Sequence, residues 1–286
     1  MDQIKIGVIG GTGLYAMEGL TGIKEIKIST PFGDPSDSII TGEVQDVRIA
    51  FLPRHGRGHR IMPSELPSRA NIYALKSLGV KYIIAVNSCG SLKEQIVPGT
   101  LVIPDQVIDL TKNRVNTFFG SGIVAHVSFA EPFCPELSNV LYESAMTNKA
   151  PTIRGGTFIA MEGPAFSTKA ESELYRSWNA DIIGMTVLPE AKLAREAEIC
   201  YASIACVTDY DCWKERTGAV TADVILECMR RNLDITKRII KLSLTKIPGM
   251  RQCACAEALK TAIVTPVDIM PPEQREKLKL IIGKYL

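Results

Sequence analysis

The stretch Ile199-Cys-Tyr-Ala-Ser-Ile-Ala-Cys-Val-Thr-Asp-Tyr-Asp-Cys-Trp213 constrains the fold more than any other part of the chain. Its first nine residues are mostly apolar or small and carry no charge. Such a run reads as a strand buried on both faces, as inside a parallel α/β sheet. It ends abruptly in Asp209 and Asp211. Open α/β sheets place their ligands beyond the carboxyl ends of the strands. On extended backbone, side chains two residues apart point the same way, so the two carboxylates are expected to share one pocket. Asp also favours turns and helix caps, and this stretch alone leaves that plainer reading open.

Similar strand-like runs occupy 4–9, 47–52, 82–86, 156–161 and 180–187, and each leads into glycine, small or polar residues. Helical spacing of apolar residues predicts helices over 65–78, 135–148, 168–178, 189–197 and 221–242. The run 101–109 reads as a strand pair at a sheet edge, because Pro104 cannot donate to a central ladder. Strands alternating with helices predict one α/β domain over 1–248, with its site built along several strand ends. Past Pro248-Gly249 the character changes to a tail, 249–286. It carries Cys253-Ala-Cys255 and a helix opened by Pro271-Pro272.

Composition narrows the function classes. A formal net charge of +2 gives no nucleic-acid footprint. No apolar run is long enough to span a bilayer. Met1-Asp-Gln-Ile-Lys leads straight into a strand with no secretory leader, so a cytoplasmic protein is expected. The 8 cysteines contain no Cys-x-x-Cys pair, which argues against a structural zinc site.

Three turns at strand ends carry the chemistry. Gly10-Gly-Thr-Gly13 lets the backbone approach an anion and aim its N–H groups at it. Gly11-x-Gly13-x-x-Ala16 also matches a dinucleotide fingerprint, but the following residues, with Gly19 and Gly22, make a poor helix for a βαβ unit. Pro53-Arg-His-Gly-Arg-Gly-His59 holds two of the 3 histidines beside two arginines, the residues suited to bidentate phosphate contact. A solvated basic loop is the alternative there. Asn87-Ser-Cys-Gly-Ser91 offers small residues and exposed backbone N–H groups.

Taken in order, Gly10-Gly-Thr-Gly13, Arg54-His-Gly-Arg57, Asn71-Ile-Tyr-Ala-Leu75, Glu131-Pro-Phe-Cys-Pro135, Glu162-Gly-Pro-Ala-Phe-Ser167, Met185-Thr186 and Thr208-Asp-Tyr-Asp-Cys-Trp-Lys214 closely resemble the purine nucleoside phosphorylase family, in its methylthioadenosine-cleaving branch. The resemblance covers residues 4–245. It implies a mixed α/β fold around a distorted barrel-like sheet. It also implies phosphate-dependent cleavage of an adenine nucleoside, with inorganic phosphate as co-substrate and no metal or cofactor. Carried over by residue, Thr12, Arg54, His55, Asn87, Ser88 and Thr186 are expected at the phosphate, and Met185 at the ribose. Phe166, Ser167, Ile183, Asp209 and Asp211 are expected around the purine, the two aspartates as catalytic carboxyls. His126, Ala222 and Ile225 are expected around the 5′-methylthio group, with His126 given by a neighbouring subunit. The family commonly reads Thr-Ala where this chain has Asn87-Ser88, so backbone contacts carry over there and a hydroxyl contact does not.

The resemblance further implies a homo-oligomer, a trimer or a dimer of trimers. The Cys-x-Cys tail resembles archaeal, heat-adapted members, which implies bridges Cys134–Cys200 and Cys253–Cys255. Three other readings remain at this point: a broader purine nucleoside phosphorylase acting on adenosine, inosine or guanosine, a nicotinamide-binding dehydrogenase, and a non-catalytic nucleoside-binding module.

Overall fold

Four parallel strands lie side by side at the centre of the molecule: β4 (Val47–Pro53), β1 (Ile6–Gly10), β5 (Tyr82–Ser91) and β11 (Cys200–Asp209). The computed structural model describes residues 4–11, 13, 14, 16–214 and 222–286, with backbone only for 222–227 and 229–231. Side chains of the central strands alternate between two apolar clusters. Ile9, Ile83, Tyr201 and Val207 join one, and Val8, Ile84, Ala202 and Cys206 join the other. That alternation is the period-two geometry of a strand, here buried on both sides, so the strands read as unbroken apolar runs.

Helices cover each face. α1 (Ser68–Ser77) and α4 (Glu190–Glu196) pack into the first cluster through Ile72, Leu75 and Leu193. α2 (Pro135–Thr147) and α5 (Ala222–Lys246) pack into the second through Leu137, Leu141, Ile239 and Leu244. β2 (Thr21–Ile26) and β3 (Ile39–Val44) extend the sheet antiparallel beyond β4. Among the described residues the next element after β1 is therefore the strand β2, not a helix, and no βαβ dinucleotide unit is found there.

The sheet forks at β5. Along Tyr82–Ala85 this strand lies between β1 and β11, and at Gly90 and Ser91 it also pairs antiparallel with β10 (Ile182–Gly184). β10 leads to β9 (Thr157–Met161) and then β7 (Gln106–Leu110), while β11 leads to β6 (Leu101–Ile103) and then β8 (Thr152–Arg154). The fold is thus mixed α/β, a large mixed sheet flanked by helices. The edge position expected for 101–109 holds for β7 alone. β6 is internal, between β11 and β8, and is tolerated there because Pro104 falls just past its last residue. No helix among the described residues is long and apolar enough to cross a membrane.

The tail packs onto the first cluster through Leu259, Met270, Leu278, Ile281 and Ile282. Its helix breaks at Leu278 into α6 (Pro272–Lys277) and α7 (Lys279–Ile282). Buried Glu198, just before β11, accepts from the Leu259 amide and the Tyr285 hydroxyl and pairs with Lys284. The expected bridges Cys134–Cys200 and Cys253–Cys255 are not formed, and all eight cysteines are free thiols. The four sulfurs instead gather as one group, with Cys200 Sγ 3.3 Å from Cys253 Sγ, far beyond the roughly 2.05 Å of a disulfide. The likeness to heat-adapted chains rested on the Cys-x-Cys tail, and the bridges it implied are not the arrangement found.

Candidate active site

The carboxyl ends of β4, β1, β5, β10 and β11 open into one cavity of about 950 Å³. Its wall includes Gly10, Gly11 and Gly13 from the first turn, Arg54 and His55 from the second, and Ser88 from the third. Met185 and Thr186 follow β10, Ile183 lies within it, and Phe166 and Pro164 come from the loop after β9. Asp209 and Asp211 close it at the end of β11. The three turns singled out in the sequence therefore converge, because their strands are neighbours in a parallel array.

Arg54 is 3% exposed and its guanidinium crosses from β4 over β1 to β5. Nη1 donates to the Val86 carbonyl (2.7 Å) and Nη2, more weakly, to the Ile9 carbonyl (3.4 Å). Nε and Nη2 clasp the carboxylate of Glu190, which is itself 1% exposed. Burial alone would lower the Arg54 pKa, but the Glu190 charge outweighs it and the guanidinium is held above its ordinary value. The Tyr201 hydroxyl donates to Glu190 Oε2 at 2.9 Å. Arg54 also lines the cavity, which places its guanidinium beside the space where an anion could bind.

Asn87 is fully inside. Its Nδ2 donates to Thr186 Oγ1 (2.7 Å) and its Oδ1 accepts from Ser203 (2.8 Å). With its oxygen engaged as acceptor, the Thr186 hydroxyl is left to donate into the cavity it lines. His55 Nδ1 lies 2.8 Å from the Ile61 carbonyl, and its ring stacks on His59 at 4.2 Å. Burial, helped by the Arg54 charge, lowers the His55 pKa to about 4. The neutral ring must then carry its proton on Nδ1, leaving Nε2 as an acceptor.

At the other side, Asp209 Oδ2 accepts from the Thr208 hydroxyl (2.7 Å) and Oδ1 from the Asp211 amide (2.7 Å). Its pKa is raised, by burial first and then by the Asp211 charge. Asp211 shares the pocket, but not through strand alternation. The register with β5 shifts between Val207 and Asp209, and Asp211 sits beyond the strand at φ +51°. Gly90 makes this possible: a Cβ there would lie 2.8 Å from Asp209 Oδ1 and 3.2 Å from the Asp211 nitrogen.

Phe166 projects from the loop after β9, which ends where Thr168 and Glu171 form a reciprocal cap on α3 (Lys169–Ser177). Ser167 lies behind this wall, its hydroxyl 3.9 Å from Met161 Sδ. His126 is exposed on a loop that the tail holds, and within one chain it does not line the cavity. Thr12 lies outside the described residues. Ala222 and Ile225 fall in α5, whose side chains there lie outside them too.

Two arginine clasps were not legible in the sequence. Glu190 follows a proline at a helix start and reads there as an ordinary acidic first-turn residue. Arg114, in the polar loop after β7, donates to the carbonyls of Leu188 (2.8 Å) and Met161 (3.2 Å) and pairs with Glu162 at 3.2 Å. It ties the loop after β9 to the loop after β10. α5 adds Asn232, Leu233 and Thr236 to the wall.

Comparison with known proteins agrees with this architecture. Residues 5–244 match the phosphorylase superfamily. The S-methyl-5′-thioadenosine phosphorylase of Geobacter sulfurreducens is 55% identical over 287 residues, covering all of both chains. A methylthioadenosine phosphorylase from an antarctic soil metagenomic library superposes with a TM-score of 0.93 at 49% identity, over 98% of this chain and 99% of that one. A mutant of the adenosine/methylthioadenosine phosphorylase of Schistosoma mansoni, solved with adenine, gives 0.84 at 39% identity, over 90% and 96%. The chain belongs to the phosphorylase superfamily and, within it, to the family of the S-methyl-5′-thioadenosine phosphorylases.

Proposed function

We propose that the protein catalyses the phosphorolysis of 5′-methylthioadenosine to adenine and 5-methylthioribose 1-phosphate, a step of purine and methionine salvage. The observation that carries this reading is a single cavity with two chemically different sides. Anion-holding groups (Arg54, the glycine turn, Thr186) face a half-buried carboxyl with a raised pKa (Asp209). Full-length identity to relatives named for this activity supports it.

In this reading phosphate lies against the Gly10–Gly13 turn with Thr12, the Arg54 guanidinium, the Ser88 and Asn87 backbone and the Thr186 hydroxyl. Because Glu190 neutralises Arg54, the arginine acts by direction more than by net charge. Neutral His55 accepts, through Nε2, a hydrogen bond donated by the P–OH of hydrogen phosphate. A phosphate oxygen attacks C1′ as the bond to N9 breaks, and the bonding pair moves into the purine. Asp209 gives its proton to N7 as that charge builds, its pKa raised by burial and by the Asp211 charge beside it. General acid help of this kind is worth about 10²–10⁴-fold. Holding the nucleophile in line supplies the rest of the positional advantage. Phe166, Ser167 and Ile183 flank the base, Met185 supports the ribose, and His126 of a neighbouring copy joins Ala222 and Ile225 around the methylthio group.

This makes the protein a homo-oligomer, a trimer or a dimer of trimers. A cytoplasmic setting fits eight unbridged thiols. Adenosine is the second substrate to consider, since one solved relative is named for both nucleosides. The test is adenine release from methylthioadenosine with and without phosphate. Release only with phosphate is expected, and release indifferent to phosphate would make the protein a hydrolase.

A further inference from the structure

Four cysteines from three separate parts of the chain meet on the α2 face of the sheet. Cys134 precedes α2, Cys200 opens β11, and Cys253 and Cys255 belong to the tail. Their Sγ atoms all lie within 4.8 Å of one another. Three of the four are buried and Cys253 is partly so. A tetrathiolate zinc centre has Zn–S bonds of about 2.3 Å, which at the tetrahedral angle sets its sulfurs about 3.8 Å apart. The four sulfurs are gathered on that scale. The group contains no histidine or carboxylate, so the four thiolates would fill the coordination shell, as in structural sites.

We propose that Cys134, Cys200, Cys253 and Cys255 bind one zinc ion as a closed structural centre. On binding, each thiol releases its proton to solvent and its sulfur lone pair goes to the metal, leaving a net charge of −2 on the centre. The sequence hid the site because its ligands are a Cys-x-Cys pair and two cysteines far from it and from each other, with no Cys-x-x-Cys knuckle. The centre fastens the tail to the opening of the strand that ends in Asp209. The same tail pairs with the loop that carries His126. Ala125 bridges Ile263, the His126 amide donates to the Ala262 carbonyl (2.8 Å), and the Val264 amide donates to the Val124 carbonyl (2.9 Å). The metal therefore sets the position of that loop from a distance. This assignment rests on the four sulfurs alone and stands independently of the reaction proposed above.

The test is elemental analysis with thiol counting on full-length protein, made in zinc-supplied medium and purified without chelator or reductant under argon. One zinc per chain is expected, released as a mercurial titrates the thiols, with eight reactive thiols in denaturant plus chelator. Cobalt exchanged into the centre should show thiolate-to-cobalt charge-transfer bands. The Cys253→Ser/Cys255→Ser variant should lose the metal, and the wild-type measurement stands even if that variant fails to fold. Eight reactive thiols without zinc, four thiols without zinc, or zinc that persists in the double variant would each overturn the proposal.

Discussion

Arg54 and Glu190 form a closed two-point clasp, with Nε to Oε1 at 2.5 Å and Nη2 to Oε2 at 3.1 Å, at the bottom of the cavity and out of reach of solvent. Removing one partner of a buried pair leaves the other charge uncompensated, at a cost of about 3–5 kcal/mol. Glu190→Ala is therefore expected to lower unfolding stability by about that much. Added phosphate should then raise the Tm of the variant more than that of the parent, because the anion takes the place of the missing carboxylate. Equal phosphate shifts in the two proteins would mean that Arg54 does not face the anion.

In the proposed reaction Asp209 is the residue that reads the base. A carboxyl that carries a proton can serve N7 and accept from a 6-amino group, whereas an amide can donate to a 6-oxo group. Asp209→Asn is expected to lower kcat/KM for methylthioadenosine at least roughly tenfold. The ratio of inosine to adenosine turnover should rise in the same variant. A ratio that falls or stays level would shift the role to Asp211.

Much of this site could be read from local sequence, and the reasons differ by element. α3 was bounded almost to the residue because Thr168 and Glu171 cap it reciprocally within one turn. The glycine turn, Arg54 and Asp209 were legible because each directly follows a buried run. Asp211 was placed in the right pocket by the wrong geometry, since a register shift and a left-handed residue do what strand alternation was expected to do. Glu190 was missed because its partner is 136 positions away. No local pattern marks such a contact. The cysteine group was hidden in the same way.

In the proposed reaction Asn87 acts on phosphate through Thr186. Its Nδ2 donates to the Thr186 oxygen at 2.7 Å, which leaves the hydroxyl proton available to an anion in the cavity. Asn87→Ala removes one hydrogen bond worth about 0.5–1.5 kcal/mol. The KM for phosphate should rise roughly threefold to tenfold, with a smaller change for the nucleoside. An effect confined to the nucleoside would show that Thr186 points elsewhere.

His55 makes stability depend on pH. Its folded pKa of about 4 lies below the ordinary 6.5, so the unfolded chain binds more protons between those values. The stabilisation from keeping the ring neutral is complete above pH 6.5 and is lost as pH falls toward about 4. Over that window it amounts to roughly 3 kcal/mol. Glu196, pushed up to about 7 by burial, works in the opposite sense over much of the same range. The measurement is therefore the difference between the parent and His55→Gln, in phosphate-free buffer at pH 7 and pH 5. The parent should lose more Tm on acidification, and parallel losses would count against a buried neutral His55.

His126 tests the proposed assembly. It is exposed in one chain and outside the cavity, so the proposed contact with the methylthio group requires a neighbouring copy. Sedimentation should show trimers or hexamers at micromolar concentration, and His126→Ala should raise the KM for methylthioadenosine more than that for adenosine. A fully active monomer would remove this reading.

The place of the tail has a consequence for how the protein is made. Leu278, Ile281 and Ile282 complete the same apolar cluster as Ile72 and Leu75, and the Tyr285 hydroxyl donates to Glu198. Synthesis delivers early segments before late ones. Here residues 278–282 emerge roughly two hundred positions after Ile72 and Leu75, so that layer keeps an apolar face open until they arrive. Chains stalled before residue 278 should be cut by protease where released chains resist. The interval between synthesis and closure is when this protein is most in need of a chaperone.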